Sequence, residues 1–360
     1  MREPGEVLES TQWSELEHAY GSAAEAPFQL IELLKDDPDQ VGDALAFLDA
    51  AVLHQGSLYS VTAPAAEYVA AILDDPRTMV LCESALPWDD RERPARAAML
   101  EWLGLFGQSV AYAEHDPDED AAVVEACRAV RNDLVDRVAL FLDDPDPDVR
   151  ASALGALSHL LVAPELEARR GPFAARLTEA AAEMDVTQRA SVAMTLGAWG
   201  IAPRDLLRDP HPAVRGCAAM APAFDDDPDA LAELRAALRD PKAADEWFAF
   251  GQRPPQFEAH VRFALLATLL RRTTTFEEVV EEAVAIARMT NEHTVDSDWG
   301  PLLVRAAGGS WLSEGPRRFL TAIVENDACW TDRIANKGSW LRKVGLPGRR
   351  EELRALLDER

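Results

Sequence analysis

The chain has 360 residues, of which 48% are hydrophobic and 28% charged, a balance typical of folded proteins that excludes disorder of the whole chain. Its formal net charge is -27, which disfavours nucleic acid and anionic lipid as partners because both would be repelled. Since the length exceeds that of one ordinary compact core, we expect either several domains or one elongated repeat array.

The N-terminal residues lack a basic and apolar leader, and no run in the chain approaches the roughly 18 apolar residues that span a bilayer. Four scattered cysteines without C-x-x-C spacing are typical of a reduced interior. We therefore expect a cytoplasmic protein with no membrane partner, and we interpret residues 1–30 as an N-terminal cap.

Residues 54–59, with the sequence His-Gln-Gly-Ser-Leu-Tyr, interrupt the helical pattern. A purely structural interpretation is that Gly56 ends one helix in the left-handed region and Thr62 caps the next. A functional interpretation places three side chains at the start of a binding face: His54, Gln55 and Tyr59.

Helical periodicity dominates the rest of the chain. Between Asp120 and Leu142 the apolar residues recur every three or four positions, which places them on one face of an α-helix. Asp-Pro pairs separate the helical stretches, because proline disfavours a helical conformation in the residue before it. In the clearest case Asp146 can be an N-cap with Pro147 at the first helical position. The predicted fold class is all-α.

Two stretches share an Asp-Pro pair, a Val-Arg pair and an alanine-rich apolar stripe, at residues 144–154 and 209–219. Their Val-Arg pairs lie 65 residues apart, equal to two units of about 30 to 40 residues. Weaker copies contain Arg189 and Arg262. Such internal periods indicate a helical solenoid, in which each helix pair buries its apolar face against its neighbours.

These units resemble HEAT repeats, including the HEAT-like units of phycobilin lyases. Residues 54–66 resemble the entry segment of a group of bacterial HEAT-repeat proteins. The resemblance implies a single α-solenoid of stacked antiparallel helix pairs over residues 1–360. Its repeats would occupy 31–288, with an insertion near 240–258, and divergent helices would occupy 289–360. It also implies that four residues are structural and form an Asp-Arg ladder between repeats: Asp144, Arg150, Asp209 and Arg215.

Nine tryptophans form a second set of candidates. Three of them lie in loop-like, acidic contexts where we do not expect a core: Trp88, Trp247 and Trp299. Aromatic rings beside carboxylates can hold a cationic partner through ring-face attraction and charge pairing. We therefore count these three as candidate binding residues, with packing under long loops as the alternative.

The sequence contains no G-x-S-x-G, no phosphate-binding glycine loop, no H-E-x-x-H and no clustered metal-ligand spacing. We expect no catalytic residue, cofactor or metal. The expected function is a non-catalytic scaffold whose acidic concave surface binds a basic protein, as an adaptor or as an immunity or inhibitor protein. The alternative is a lyase-like or base-excision-like enzyme with its active site in the solenoid concavity, and the nominees for the lyase version are His54, Tyr59 or a nearby carboxylate.

Overall fold

The computed structural model describes residues 1–83, 91–248, 253–257, 259–331 and 336–358. These residues form eighteen α-helices and two short antiparallel hairpins, which confirms the all-α class. They divide into two compact units. Unit 1 comprises Met1–Ile201 with residues 253–256, and unit 2 comprises Ala202–Phe248 with the residues from Phe257 onward.

Unit 1 contains the first nine helices and all four strands. The helices are α1 Pro4–Ser10, α2 Ala26–Glu32, α3 Pro38–Phe47, α4 Thr62–Ile72, α5 Ala95–Ala113, α6 Ala121–Ala139, α7 Pro147–Leu160, α8 Glu167–Ala180 and α9 Val186–Ala198. The strands are β1 Glu17–His18, β2 Gly21–Ser22, β3 Leu81–Glu83 and β4 Glu92–Pro94. Strand β1 pairs with β2, and β3 pairs with β4, both antiparallel.

Alternate helices of unit 1 are neighbours in space: α4 packs on α6, α5 on α7, and α7 on α9. The α5–α7 contact is close because α5 presents glycines to it. A Cβ atom on Gly104 would lie 3.1 Å from the Cα atom of Ala156, and one on Gly107 would lie 3.1 Å from the backbone nitrogen of Leu160. Backbone therefore packs against backbone at this contact, and larger side chains would separate the two helices.

Several Asp-Pro pairs start helices, as predicted, whereas those at Asp144 and Asp209 form turns ahead of a helix. Asp146 is the N-cap of α7, its carboxylate accepts bonds from the backbone nitrogens of Asp148 and Val149, and Pro147 is the first helical residue. Asp37 caps α3 in the same way. Each cap satisfies backbone donors that the first helical turn leaves without a partner.

The two clear Val-Arg copies bond alike. Nη1 of Arg150 donates to the carbonyl oxygens of Asp144 and the following proline at 2.6 and 2.9 Å. Nη1 of Arg215 donates to those of Asp209 and the following proline at 2.9 and 3.1 Å. In both copies the arginine therefore holds the Asp-Pro turn against the helix that follows it.

The predicted ladder is wrong for both arginines. Arg150 makes no ion pair with any described residue, and Arg215 pairs with Glu233 at 3.0 Å. The Asp144 carboxylate instead pairs with Arg96 of α5 at 3.2 Å. Asp209 is buried, and its carboxylate accepts a bond from the backbone nitrogen of His211 at 2.8 Å. Within the part of the chain that the structure describes, Arg150 therefore bonds only its own turn, whereas Arg215 bonds its own turn and Glu233.

Unit 2 contains the other nine helices. They are α10 Pro212–Ala219, α11 Pro228–Arg239, α12 Pro241–Asp245, α13 Val261–Arg272, α14 Val280–Met289, α15 Trp299–Ala306, α16 Glu314–Glu325, α17 Asn336–Lys343 and α18 Arg350–Asp358. Helix α11 packs against α10, α13 and α14, and α16 packs against α14 and α18. The segment predicted to hold divergent C-terminal helices contains α15 to α18.

Part of the predicted insertion packs in unit 1. The side-chain amide of Gln256 donates to the hydroxyls of Ser191 and Thr195 on α9 at 2.9 and 3.0 Å. Pro255 lies against α7, where a Cβ atom on Gly155 would be only 2.8 Å from the proline ring. Because Gly155 has no side chain, the proline ring can sit directly on the helix.

The fourth Val-Arg copy differs from the others. Arg262 is 2% exposed, and its guanidinium donates to both carboxylate oxygens of Asp298 at 2.8 and 3.1 Å. It also pairs with Asp245. Burial disfavours the charge on Arg262, but the bonds to the two carboxylates outweigh this effect and raise its pKa. The three side chains form a buried charged cluster in unit 2.

An acid-sensitive cap lies ahead of α14. Glu278 accepts bonds from the backbone and hydroxyl groups of Thr275 and Thr274 at 2.8 to 3.2 Å, and these bonds lower its pKa from 4.5 to about 2. Because the folded pKa is the lower one, the stabilisation is complete above pH 4.5 and is lost as the pH falls towards 2.

We expect Glu278→Gln to lower the free energy of unfolding at pH 7 by about 0.5–1 kcal/mol, the low end for a cap because the group is exposed. The difference from the wild type should shrink below pH 4.5, where the wild-type carboxylate becomes protonated. Urea denaturation of both proteins across this range measures it. A difference that stays constant with pH would contradict the assignment.

Candidate functional site

The backbone of residues 48–56 is irregular. Helix α3 runs into a π-helical turn at Leu48–Val52, a form that occurs frequently at functional sites. Gln55 follows with a φ of 52°, the only positive φ at a non-glycine residue described, and Gly56 has a φ of 80°. Left-handed backbone at a residue with a side chain is uncommon and clusters at ligand sites. The irregularity therefore marks the segment that the sequence singled out.

The β1–β2 hairpin is fixed to this segment. The backbone nitrogen of Ala19 donates to the carbonyl oxygen of Ala51 at 3.1 Å. The backbone nitrogen of Glu17 donates to the Ser60 hydroxyl at 2.8 Å. These bonds place the hairpin turn beside the irregular backbone.

Four rings meet here, and we call them the N-terminal aromatic cluster: His18, Tyr20, Phe47 and His54. The Tyr20 and His54 rings are edge to face with centroids 5.5 Å apart, and the His18 ring lies 6.1 Å from Tyr20 and 5.7 Å from Phe47. His18 is buried, whereas Tyr20 is 69% exposed. An exposed tyrosine in contact with one buried and one half-buried ring is a rigid apolar contact that loses little conformational entropy on binding.

Both ring nitrogens of His18 are engaged. Its Nδ1 accepts a bond from the backbone nitrogen of Tyr20 at 3.0 Å, so Nε2 carries the proton and donates to Glu25 at 2.7 Å. This bond is the largest cause that lowers the pKa of Glu25. His18 therefore has no free nitrogen for proton transfer, and its role is to hold Tyr20 and Glu25 in place.

Three carboxylates lie close to the cluster residues in the sequence: Glu17, Glu25 and Asp49. Glu17 and Asp49 are exposed and form no ion pair with the residues described. Glu25 is exposed, and its carboxylate lies 2.7 Å from Nε2 of His18. On α2, Phe28 is a further aromatic side chain and is 70% exposed. An exposed aromatic ring and a carboxylate without an ion pair both attract a cationic group.

The residues predicted here have different roles. His54 is half-buried, and its Nδ1 lies 2.9 Å from the carbonyl oxygen of Ala50. Gln55 is exposed. The backbone nitrogen of Tyr59 donates to the Thr62 hydroxyl at 2.9 Å, and that hydroxyl donates to a backbone carbonyl at 2.7 Å. The predicted left-handed Gly56 is confirmed, but Thr62 is the first residue of α4 and not its cap.

The three tryptophans predicted as binding residues have different positions. Trp299 is 0% exposed at the start of α15, so the expectation that it lies outside the core is wrong. The acidic neighbour that suggested a surface, Asp298, is itself buried because it pairs with Arg262. Trp247 is half-buried with its ring on Gly216 of α10. Trp88 lies outside the described residues.

Three residues of the candidate site were not predicted as binding residues, because they lie in the segment interpreted as an N-terminal cap: His18, Tyr20 and Phe28. Strands of two residues are too short to produce detectable alternation. The available signal was the Tyr20-Gly21 pair, since Gly21 follows the two-residue turn and has a φ of 118°, which favours glycine.

The described residues contain no group of three or more His, Cys, Asp or Glu side chains placed to hold a metal ion. None of the helices within the described ranges is long and apolar enough to cross a membrane. All four cysteines are free and buried. The predicted interior position of the cysteines is thus confirmed.

A scan against models of protein families finds no match to this chain, and a search among curated proteins returns none either. The likeness to HEAT repeats therefore depends on the residues quoted above.

Proposed function

We propose that this chain is a non-catalytic scaffold that binds a basic protein partner, and that the N-terminal aromatic cluster is its anchor. The observation that carries the proposal is the exposed Tyr20, packed edge to face on His54. Glu17 and Asp49, which precede these two residues closely in the chain, have exposed carboxylates without an ion pair among the described residues. Interfaces draw most of their affinity from a few such aromatic anchors.

The charge of the chain supports this choice of partner. With a formal net charge of -27, the field of the molecule attracts a basic surface and repels an acidic one. Complementary charge raises the association rate and discriminates among partners, while the aromatic contacts slow dissociation. A narrower form of the proposal is an immunity or inhibitor protein that covers a basic toxin.

We further propose that the helices form a HEAT-like solenoid in the cytoplasm. The packing of alternate helices in unit 1 and the matched bonding of Arg150 and Arg215 support repeated helix pairs. Four free cysteines support a reducing compartment.

No observation favours the enzyme alternative as a second function. His54 has no carboxylate partner among the described residues, and Tyr59 is engaged there through its backbone nitrogen only with Thr62. A general base is normally oriented by a further polar side chain, and neither nominee has that arrangement.

A pair of labelled peptides tests the proposal. We expect a short peptide of alternating lysine and leucine to bind the full chain in fluorescence anisotropy, and its glutamate-leucine counterpart not to bind. The lysine peptide supplies positive charge and apolar contact, whereas the control keeps the apolar contact and replaces the positive charge by a negative one. Equal binding of the two peptides, or binding of neither, would count against a scaffold for basic partners.

A further inference from the structure

Unit 2 contains a polar cavity of ≈ 280 Å³ beside the first turns of α11. Its lining includes two arginines, Arg204 and Arg208, and three carboxylates, Asp227, Asp229 and Glu233. The Phe224 ring contributes an apolar part of the wall. The repeat pattern does not account for this combination, because none of these residues belongs to a Val-Arg pair.

The arginines of this cavity lack counter-ions. Neither Arg204 nor Arg208 forms an ion pair with any of the described residues, although three carboxylates line the same space. The Arg204 guanidinium lies 5.6 Å from the centre of the Phe224 ring, which fixes its position without neutralising it. Both positive charges are therefore available to a ligand.

The carboxylates are used unequally. Glu233 pairs with Arg215 at 3.0 Å and is already neutralised. One oxygen of Asp227 caps α11 by accepting bonds from the backbone nitrogens of Asp229 and Ala230 at 2.9 and 3.2 Å. The other oxygen of Asp227 and both oxygens of Asp229 have no partner among the described residues. Negative charge is thus also available in the cavity.

Opposite charges that line one cavity without pairing suit a ligand that carries both signs. A simple anion would meet the carboxylates, and a simple cation would meet the guanidiniums, so each would be repelled by part of the lining. A zwitterion can satisfy both, with its carboxylate on the arginines and its ammonium group on the aspartates. At ≈ 280 Å³ the space lies near the lower end of the range for ligand pockets and suits a small organic molecule.

We propose that this cavity binds a free α-amino acid, with Arg204 and Arg208 on the carboxylate and Asp227 and Asp229 on the ammonium group. The site lies in unit 2 and is separate from the proposed protein-binding anchor in unit 1. Failure of either proposal therefore leaves the other standing.

Isothermal titration of the full chain with each common L-amino acid in turn tests the site. We expect at least one to bind, and we expect its N-acetyl derivative and its amide to bind at least about tenfold more weakly, a loss of about 1.4 kcal/mol for each missing charge. The first derivative lacks the ammonium group and the second lacks the carboxylate. Failure of all the amino acids to bind would overturn the proposal, as would undiminished binding of either derivative.

Substitutions at single residues test which side chains bind the amino acid. Arg208→Gln and Asp229→Asn should each weaken binding of that amino acid at least about tenfold. Asp205→Asn is the matched control, because Asp205 is exposed on the same stretch of chain but does not line the cavity. All three positions are on the surface, so circular dichroism should show unchanged folding. Equal affinity of all three variants and the wild type would overturn the assignment.

Discussion

Arg262→Met is expected to lower the free energy of unfolding of unit 2 by about 3–5 kcal/mol, the usual cost of leaving a buried charge without its partner. Asp298 is 0% exposed, and both of its carboxylate oxygens accept bonds from Arg262. Methionine fills similar space but cannot donate to Asp298 or Asp245. Urea denaturation followed by circular dichroism measures the loss.

Two controls make this result specific. Glu281→Gln removes an exposed pair with Arg318 in the same unit and should leave the free energy of unfolding close to that of the wild type. Combining Arg262→Met with Asp298→Asn removes the stranded charge, so the double variant should recover part of the stability that the single variant loses. If Arg262→Met were no more harmful than Glu281→Gln, the buried cluster would not have the assigned role.

Tyr20→Ala is expected to weaken binding of the lysine-leucine peptide at least about tenfold, because truncation of an anchor aromatic costs about 2 kcal/mol or more. Tyr112→Ala is the matched control: Tyr112 is 72% exposed, close to the 69% of Tyr20, but lies on α5. Fluorescence anisotropy measures both affinities. Equal losses in the two variants would indicate non-specific contact and contradict the anchor assignment.

His54→Ala should weaken binding of the same peptide less than Tyr20→Ala does. His54 is half-buried and supports the Tyr20 ring, whereas Tyr20 is exposed to the peptide. The relative size of the two losses in affinity shows which residue is the anchor and which residue supports it. A larger loss for His54→Ala would exchange the two roles.

Helix caps and turn bonds, which join residues close in the chain, could be predicted from the sequence. Asp146 and Pro147 start α7 as predicted, because N-capping depends on residues adjacent in the chain. The bonds from Arg150 to its own Asp-Pro turn were also within reach, since the same spacing recurs before Arg215. The ladder expectation instead followed from the family resemblance.

Ion pairs between residues far apart in the chain could not be predicted from the sequence. Asp298 suggested a surface position for Trp299, but its partner Arg262 lies 36 residues earlier and takes both residues into the core. For the same reason Arg262 looks like any other Val-Arg copy in the sequence. A buried charge cannot be recognised until its counter-ion is placed.

One of the two segments that form the candidate site was predicted from the sequence. The turn containing His54 and Gln55 was identified from its departure from helical periodicity, and the π-helical turn and the positive φ of Gln55 agree with that reading. Its other half, Tyr20 on the hairpin, depends on bonds across about 30 residues that no local pattern records.

The central claim is that an acidic surface with an aromatic anchor binds a basic partner, and the salt dependence of binding tests it most directly. We predict that the affinity of the lysine-leucine peptide falls at least about tenfold between about 50 and 500 mM NaCl, because salt screens exposed charges. Tyr20→Ala should lower the affinity at both salt concentrations without removing this dependence. An affinity that stays constant or rises with salt would contradict the claim.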